Sequence, residues 1–312
     1  MTLLGLDLGG THAACSLISG QTVSATEHLS FADTSSFAAV LSDVTACLKK
    51  LSAEAPEPVS GLGIGMCGLV DSRRNCVLST NGKYEDTVSF DFQRWGHESL
   101  GVPVRLENDA RLALRGEMYA GAGRGFSDVV MFTLGTGIGG VAAMDGAPLI
   151  GLHGQAGVLG GHVPVRAHGR KCTCGGQGCA EAEASGWALP TVCREWPGFA
   201  QSQLAHQKLN FKTLFELSEA GDRVAVEVRD HCLTVWGMMT VAAVHSFDPE
   251  LVVFGGGAMG AASQILPTLQ QYVDQNTWTP WGKARLVAAE LGNHAAAHGV
   301  PTLFAERSHR DV

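Results

Sequence analysis

The sequence has 312 residues, with 22 Lys plus Arg against 30 Asp plus Glu, for a formal net charge of −8. An acidic chain lacks the basic surface that holds nucleic acid or an anionic membrane, and 45% apolar against 17% charged residues suits a large core and excludes general disorder. The 40 glycines are nearly twice the usual ~7%, so many positions need unusual backbone angles or close approach to a ligand.

The length allows two domains at roughly 100–200 residues each. Residues 2–8 (TLLGLDL) read as an apolar strand ending at Gly9-Gly10, and 13–18 and 22–28 continue it as a meander. Phe37, Val40, Leu41, Val44, Leu48 and Leu51 step by threes and fours, which predicts a helix within 34–53. Pro56 and Pro58 break the chain, and GLGIGMCG is a strand entering a glycine turn. A short strand at 102–106 precedes a helix in NDARLALRGEMYAG, ended by Gly121. SDVVMFTLGTGIGGVAAMDG reads as strand, glycine loop and returning strand. The segment 151–182 has no period and is too long for an ordinary connection, which marks it as functional. Val224, Val228, Cys232, Val235, Met239 and Ala242 predict a helix. Its opposite face is also apolar from Cys232 to Val244, so burial between layers is expected. LVVFGGG is a further strand, and 293–307 a last helix whose first turn Gly299 and Pro301 shorten.

No stretch of ~18 apolar residues predicts a membrane span, and the first residues lack a basic leader. Nine cysteines, mostly scattered, read as reduced thiols of a cytoplasmic protein.

The loops DLGGTH (7–12) and LGTGIGG (134–140) each place Gly and Thr after an apolar strand. Their backbone N–H groups and threonine hydroxyls suit the β- and γ-phosphates of ATP, with Asp7 near Mg²⁺. The echo between them suggests a duplicated unit with two halves facing a cleft. Read blandly, each alone is a tight turn of an α/β sheet. G-x-G-x-x-G occurs at Gly63, Gly135 and Gly255, with Glu85 or Asp86 at ribose distance from the first. The segment LVDSRRNCVL after that first match does not read as a helix, so the dinucleotide reading lacks its helix N-terminus. No G-x-x-x-x-G-K-S/T occurs, which excludes a P-loop.

His162, Cys172, Cys174 and Cys179 follow H-x9-C-x-C-x4-C. Three thiolates and an imidazole suit a closed, structural Zn²⁺ site; the alternative is three ordinary buried cysteines.

Together, DLGGTH, GIGMCGLVD (63–71), ENDA (107–110), LGTGIGG, GH (161–162), CTCGGQGCAE (172–181), ASG (184–186) and FGGG (254–257) resemble the ROK sugar kinases, in family order over nearly the whole chain. The resemblance implies an α/β, two-domain actin-like ATPase (ribonuclease H-like) fold with a cleft between domains. The small domain would take 1–115 plus 297–312, and the large one 116–296 with the zinc segment. It implies an ATP-dependent kinase phosphorylating a hydroxyl of a hexose or related polyol, with Asp109 as general base. Asn108 and Asp109 also open a helix after a strand, so one of them is equally an N-cap; that helix N-terminus would keep Asp109 ionised. By resemblance, Asn81, Asn108, His162, Glu181 and Gly68 bind sugar. Asp7, Gly9, Gly10, Thr11, Gly135, Thr136, Gly137, Gly256 and Gly257 bind Mg-ATP, and the protein is a homodimer. The chain opens at the DxGGT strand with no DNA-binding domain ahead of it, like the kinase branch. It departs from the pattern in four places. No carboxylate stands in 157–161 before His162, Cys67 replaces a proline, Arg111 replaces an asparagine, and STNG (79–82) replaces TPNL. These leave the acceptor's identity open. Two other readings are a non-catalytic sugar or nucleotide sensor, motivated by the lost carboxylate, and a nicotinamide-dependent oxidoreductase using Gly63–Gly68.

Overall fold

A computed structural model describes residues 1–9, 12–31, 36–80 and 82–305. The chain divides into two compact units: Met1–Gly125 with Pro148–Ala156 and Glu290–Val312, and Phe126–Ala147 with Gly157–Ala289. The first unit thus runs past the expected boundary at 115 and takes in Pro148–Ala156, which was assigned by sequence to the second domain.

The first unit is built on a five-stranded sheet. The meander is β1 (Thr2–Leu8), β2 (His12–Ser19) and β3 (Thr22–Ser30), antiparallel throughout. β4 (Val59–Met66) and β7 (Val104–Asn108) add to the other side of β1 in parallel. The spatial order is β3-β2-β1-β4-β7. Side chains alternate along β1. Leu4, Leu6 and Leu8 enter one core with Val44 and Leu48 of α1 (Phe37–Ala53). Leu3 enters the other, with Leu112 of α3 (Asp109–Ala120) and Ala296 and Val300 of α9 (Ala295–Ala305). Both faces of the sheet are therefore covered, as expected where parallel strands need crossovers. The segment after Gly68 is a hairpin, β5 (Leu69–Asp71) and β6 (Cys76–Ser79), not a helix.

The second unit repeats the scheme. β8 (Val129–Leu134) pairs antiparallel with β9 (Ile138–Met144) and parallel with β11 (Leu251–Gly255), which pairs parallel with β12 (Arg285–Ala288). A two-residue β10 (Ala147–Pro148) completes the order β10-β9-β8-β11-β12. The helices are α4 (Ala180–Ala184), α5 (Leu189–Glu195), α6 (Phe211–Glu219), α7 (Arg223–Phe247) and α8 (Ala262–Asn276). On α7, Trp236 is fully buried, stacks near Phe211 at 5.3 Å, and donates Nε1–H to the Ala184 carbonyl at 3.0 Å. Burial between layers, expected from Cys232 to Val244, is incomplete: Thr234 and Met238 are exposed there, in line with His245 just beyond. The last helix also differs from expectation: Pro301 lies inside it rather than shortening its start. The one unpredicted helix of the first unit, α2 (Phe92–Leu100), is capped by Asp91, which accepts the Arg94 N–H at 2.9 Å. Among the described residues no helix is long and apolar enough to cross a membrane.

Candidate active site and metal centre

Asp7 is an odd position of β1, so it leaves the face opposite Leu6 and Leu8, toward the start of α3. Gly65 of the neighbouring β4 makes room there: a Cβ at Gly65 would sit 3.4 Å from Asp7 Oδ1 and 3.5 Å from Asp109 Cα. Gly65 thus lies between the two aspartates, near enough for the Asp7 charge to act on Asp109. Each keeps a partly open side. Burial pushes Asp7 up to about 6, and burial together with the Asp7 charge pushes Asp109 up to about 7. The Ala110 N–H (2.8 Å) and Asn108 Nδ2 (2.9 Å) both donate to Asp109 Oδ1 and oppose that rise without cancelling it. The helix N-terminus thus does not keep Asp109 fully ionised at neutrality, because desolvation and like charge outweigh it. Asp7 makes no ion pair among the described residues. A carboxylate in this position suits a divalent cation, which would relieve both charges.

Asn108 caps α3, its Oδ1 accepting the Arg111 N–H at 3.1 Å. Its Nδ2 also donates to the Gly68 carbonyl at 2.9 Å. Gly68 has φ 107°, and a Cβ there would collide with the Ser79 carbonyl, so glycine is required at that turn. The Asn108 amide hydrogens are thus engaged in setting the Gly68 turn and the Asp109 carboxylate. Gly9 is fixed on one side by its N–H to the His12 carbonyl (3.0 Å) and on the other by the Tyr84 hydroxyl, which donates to the Gly9 carbonyl at 3.2 Å. Gly10, Thr11 and Asn81 lie outside the described residues.

Sequence reasoning missed three residues here. Tyr84 is fully buried at φ 52°. Glu107 and Arg111 are both fully buried and paired at 3.2 Å. Arg111 also donates to the carbonyls of Val70 and Gly154, which fastens Pro148–Ala156 to the first unit. Only the oddity of an arginine after ENDA signalled it.

In the second unit the glycine loop at the end of β8 is closed by the Gly135 N–H donating to the Gly137 carbonyl at 3.0 Å. The start of the next segment secures it, since Gly186 N–H donates to the Gly135 carbonyl and Trp187 N–H to the Thr136 carbonyl, both at 2.9 Å. Glu181 accepts the Ile138 N–H at 2.9 Å and the Trp187 Nε1–H at 3.3 Å. It therefore ties the cysteine–histidine segment to the glycine loop. Gly256, at φ 90°, packs against the Leu134 backbone, where a Cβ would clash, and Gly257 is open. The Gly135–Gly137 and Gly256–Gly257 loops thus share the carboxyl ends of neighbouring parallel strands, the usual ligand edge of an open α/β sheet.

His162, Cys172, Cys174 and Cys179 present ligand atoms all within 4.8 Å of one another. Cys172 Sγ lies 3.4 Å from His162 Nδ1, and Cys174 Sγ lies 3.7 Å from Cys179 Sγ. A tetrahedral zinc with Zn–S of ~2.3 Å separates sulfurs by ~3.8 Å and nitrogen from sulfur by ~3.5 Å. The four residues therefore fit that ion. Turns at Gly175 (φ 88°) and Gly178 (φ 74°) bring the sulfurs together. The buried Glu183 braces the segment, accepting Arg170 Nη1 at 2.7 Å and Arg166 Nη1 at 3.4 Å.

Residues 3–307 match the ROK family model. The chain is 32% identical over 317 residues to a protein named glucokinase from Thermotoga maritima, covering 98% of both. Among solved structures it is similar to a ROK family glucokinase from Streptomyces griseus in complex with glucose and AMPPNP (27% identity, TM-score 0.75, covering 97% of this chain and 99% of that one). It is similar also to a ROK hexokinase from Thermus thermophilus (28% identity, TM-score 0.79, 97% of each chain).

Proposed function

The chain belongs to the ROK family, and from that premise we propose that it is an ATP-dependent sugar kinase acting on a hydroxyl of a hexose or related polyol, with Asp109 as general base. Glucose is the first acceptor to test, because relatives named or solved as glucokinases match nearly its whole length. The observation that carries the reading is the Asp109 carboxylate at the first turn of α3, across Gly65 from Asp7, where burial and the Asp7 charge push its pKa up to about 7. A base is most effective when its pKa lies near the working pH.

In the proposed reaction Asp109 takes the proton from the acceptor hydroxyl as its oxygen attacks the γ-phosphorus. The bond to the β–γ bridging oxygen breaks, and ADP leaves with that electron pair. Gly9, Gly10 and Thr11 after β1, and Gly135, Thr136 and Gly137 after β8, would offer N–H and hydroxyl donors to the phosphates. Gly256 and Gly257 would leave space for the nucleotide's adenosine end. Asp7 would hold the magnesium of Mg-ATP, which supplies charge neutralisation on the transferring phosphoryl group. Gly68, Asn81, Asn108, His162 and Glu181 would surround the sugar, with Asn108 mainly orienting Asp109. His162, Cys172, Cys174 and Cys179 would hold a structural zinc that fixes 157–182. The proposal includes a homodimer, to be read by light scattering.

A coupled ADP-release assay over hexoses, amino sugars and inositols tests the reading. Asp109→Asn should lower turnover by ~10²–10⁴ while nucleotide binding persists. Full activity of that variant would remove Asp109 from its role. Sugar and nucleotide binding without turnover in the unaltered chain would favour the sensor reading, which the absence of a carboxylate in 157–161 supports.

A further inference from the structure

Below the β5–β6 turn of the first unit lies a cavity of about 210 Å³, far more than the ~10–15 Å³ that admits one water. Three arginines line it: Arg73 from the turn, Arg105 from β7 and Arg115 from α3. Ser72 adds a hydroxyl, and Ile150 and Leu303 form apolar walls. β7 sends Val104 and Leu106 into the core with α1, so Arg105 and Glu107 emerge on the opposite face, beside α3.

We infer that this arginine-lined cavity is a second, non-catalytic binding site for a small phosphate-bearing anion. The argument is electrostatic and geometric. The chain as a whole is acidic, at −8, yet this spot gathers three guanidinium groups around one concavity. Among the described residues Glu107 is the carboxylate that lines the cavity, and it is shared: Oε1 accepts Arg111 at 3.2 Å and Oε2 accepts Arg115 at 3.4 Å. Asp71, in the same turn, accepts the Arg73 and Arg74 N–H groups and pairs with Arg74. The Arg73 and Arg105 side chains have no ion pair among the described residues. Arg115 is only 8% exposed, so its charge is held where water screens it poorly. Planar guanidinium forks match phosphate oxygens in pairs, and several forks around one cavity suit a dianion better than a monocarboxylate. The space left by one phosphate group, with its apolar walls, also admits the carbon skeleton of a phosphate ester.

The site touches the catalytic region through one residue. Glu107 precedes Asn108 and Asp109, and its Oε1 also accepts the Asn108 N–H at 3.0 Å. An anion drawing on Arg115 shifts the cation that Glu107 shares. Occupancy is thereby sensed at the start of α3.

Calorimetry on the full chain tests this, with magnesium and a non-transferable ATP analogue at saturation to block the triphosphate site. One arm titrates inorganic phosphate and the other a hexose monophosphate, which separates the two sources. Binding in either arm is expected, weakened about tenfold or more in Arg73→Gln/Arg105→Gln. It should be unchanged in Arg94→Gln/Arg223→Gln, which removes the same charge from exposed helix pairs. Both double variants should keep wild-type turnover in the absence of added phosphate. If Arg73→Gln/Arg105→Gln does not fold, Arg73→Gln alone, at an exposed position, should still weaken binding. No binding in either arm, equal loss in the control pair, or no loss in the cavity variants overturns the inference. A failure of kinase activity leaves these binding readouts intact, so the two readings fail separately.

Discussion

Two aspartates one strand apart decide how this site answers to pH. An isolated aspartate titrates near 3.9, whereas burial holds Asp7 to about 6 and burial with the Asp7 charge holds Asp109 to about 7. Turnover is therefore expected to rise as pH climbs through about 7, where Asp109 loses its proton, and to level off above. A pH profile of kcat checks this, and a rate already flat from pH 5 upward would contradict it. Stability runs the other way. The unfolded chain gives up both protons near pH 4 while the native chain keeps them, so the pair's contribution is full below that and is lost as pH rises through about 6 and 7. A bound divalent cation should shift the rate profile to lower pH by favouring the carboxylates. At this scale ENDA made Asp109 legible in the sequence, but not its protonation. That depends on Gly65 of β4 lying between Asp7 of β1 and the first residue of α3, a fact of tertiary packing. Arg111 was less legible still, because a charged residue in a helix pattern reads as a solvent face, and here it is fully buried.

Among the elements, the glycine loops and the zinc segment were readable for a common reason: their backbone demands and ligand chemistry restrict residue type. The helices α5, α6 and α8 were not called. α8 buries only Ile265, Leu269 and Val273 and carries Pro267 in its interior, which masks its period. α5 has seven residues, carries Pro190 in its first turn, and shows no repeat. The zinc segment yields a prediction at its own scale. Residues 157–182 form no long strand or helix among the described residues, and their isolated bridges are Gly140–Leu159, Pro164–Cys179 and Lys171–Gln177. Turn hydrogen bonds such as Val165 N–H to the Gly178 carbonyl (2.8 Å) and the Glu183 brace hold them, and the proposed zinc would add four ligands. Cys179 is pushed up to about 12 by burial, so without a metal it stays a neutral thiol and contributes no charge to hold its neighbours. Zinc analysis should give about one ion per chain. Stripping it with a chelator, or Cys174→Ser, should lower the melting temperature and open 157–182 to proteolysis. Because Glu181 follows directly and holds the Ile138 N–H, nucleotide affinity should fall as well. An unaltered melting temperature in Cys174→Ser would remove the metal's structural part.

At the scale of the whole chain, the two sheets share a scheme of antiparallel strands followed by parallel ones, and the sequence echo DLGGT and LGTGIGG sits after the corresponding strands β1 and β8. The resemblance already implies a first domain that the chain re-enters at 297–312; what the sequence does not signal is the visit of Pro148–Ala156 and the earlier return, at Glu290, to the first unit. Its last helix, α9, lies against α3 at backbone distance: a Cβ on Gly116 would strike the Ala295 carbonyl, and one on Gly299 the Leu112 carbonyl. Ala296 and Val300 then close the core over Leu3, Ile18 and Leu112. Glu117, fully buried, accepts the N–H groups of Glu290 and Leu291 at 3.2 and 2.9 Å and so receives the returning chain. Removing 290–312 takes α9 off the face of β1 and β4 that it covers together with α3, and it strips buried Glu117 of two N–H partners while the Ala122 N–H remains, a combined loss that is large against a domain's total of ~5–15 kcal/mol. The second unit keeps its own sheet, helices and cysteine–histidine cluster. In a chain ending at residue 289, amide exchange should therefore show β1 and β4 unprotected while β8 and β11 stay protected. Gly116→Val should give a milder version of the same pattern, since it separates α9 from α3 without deleting it. Equal protection in all four strands of the shortened chain would mean that the first sheet stands on the α1 core alone and that α9 is an accessory to it.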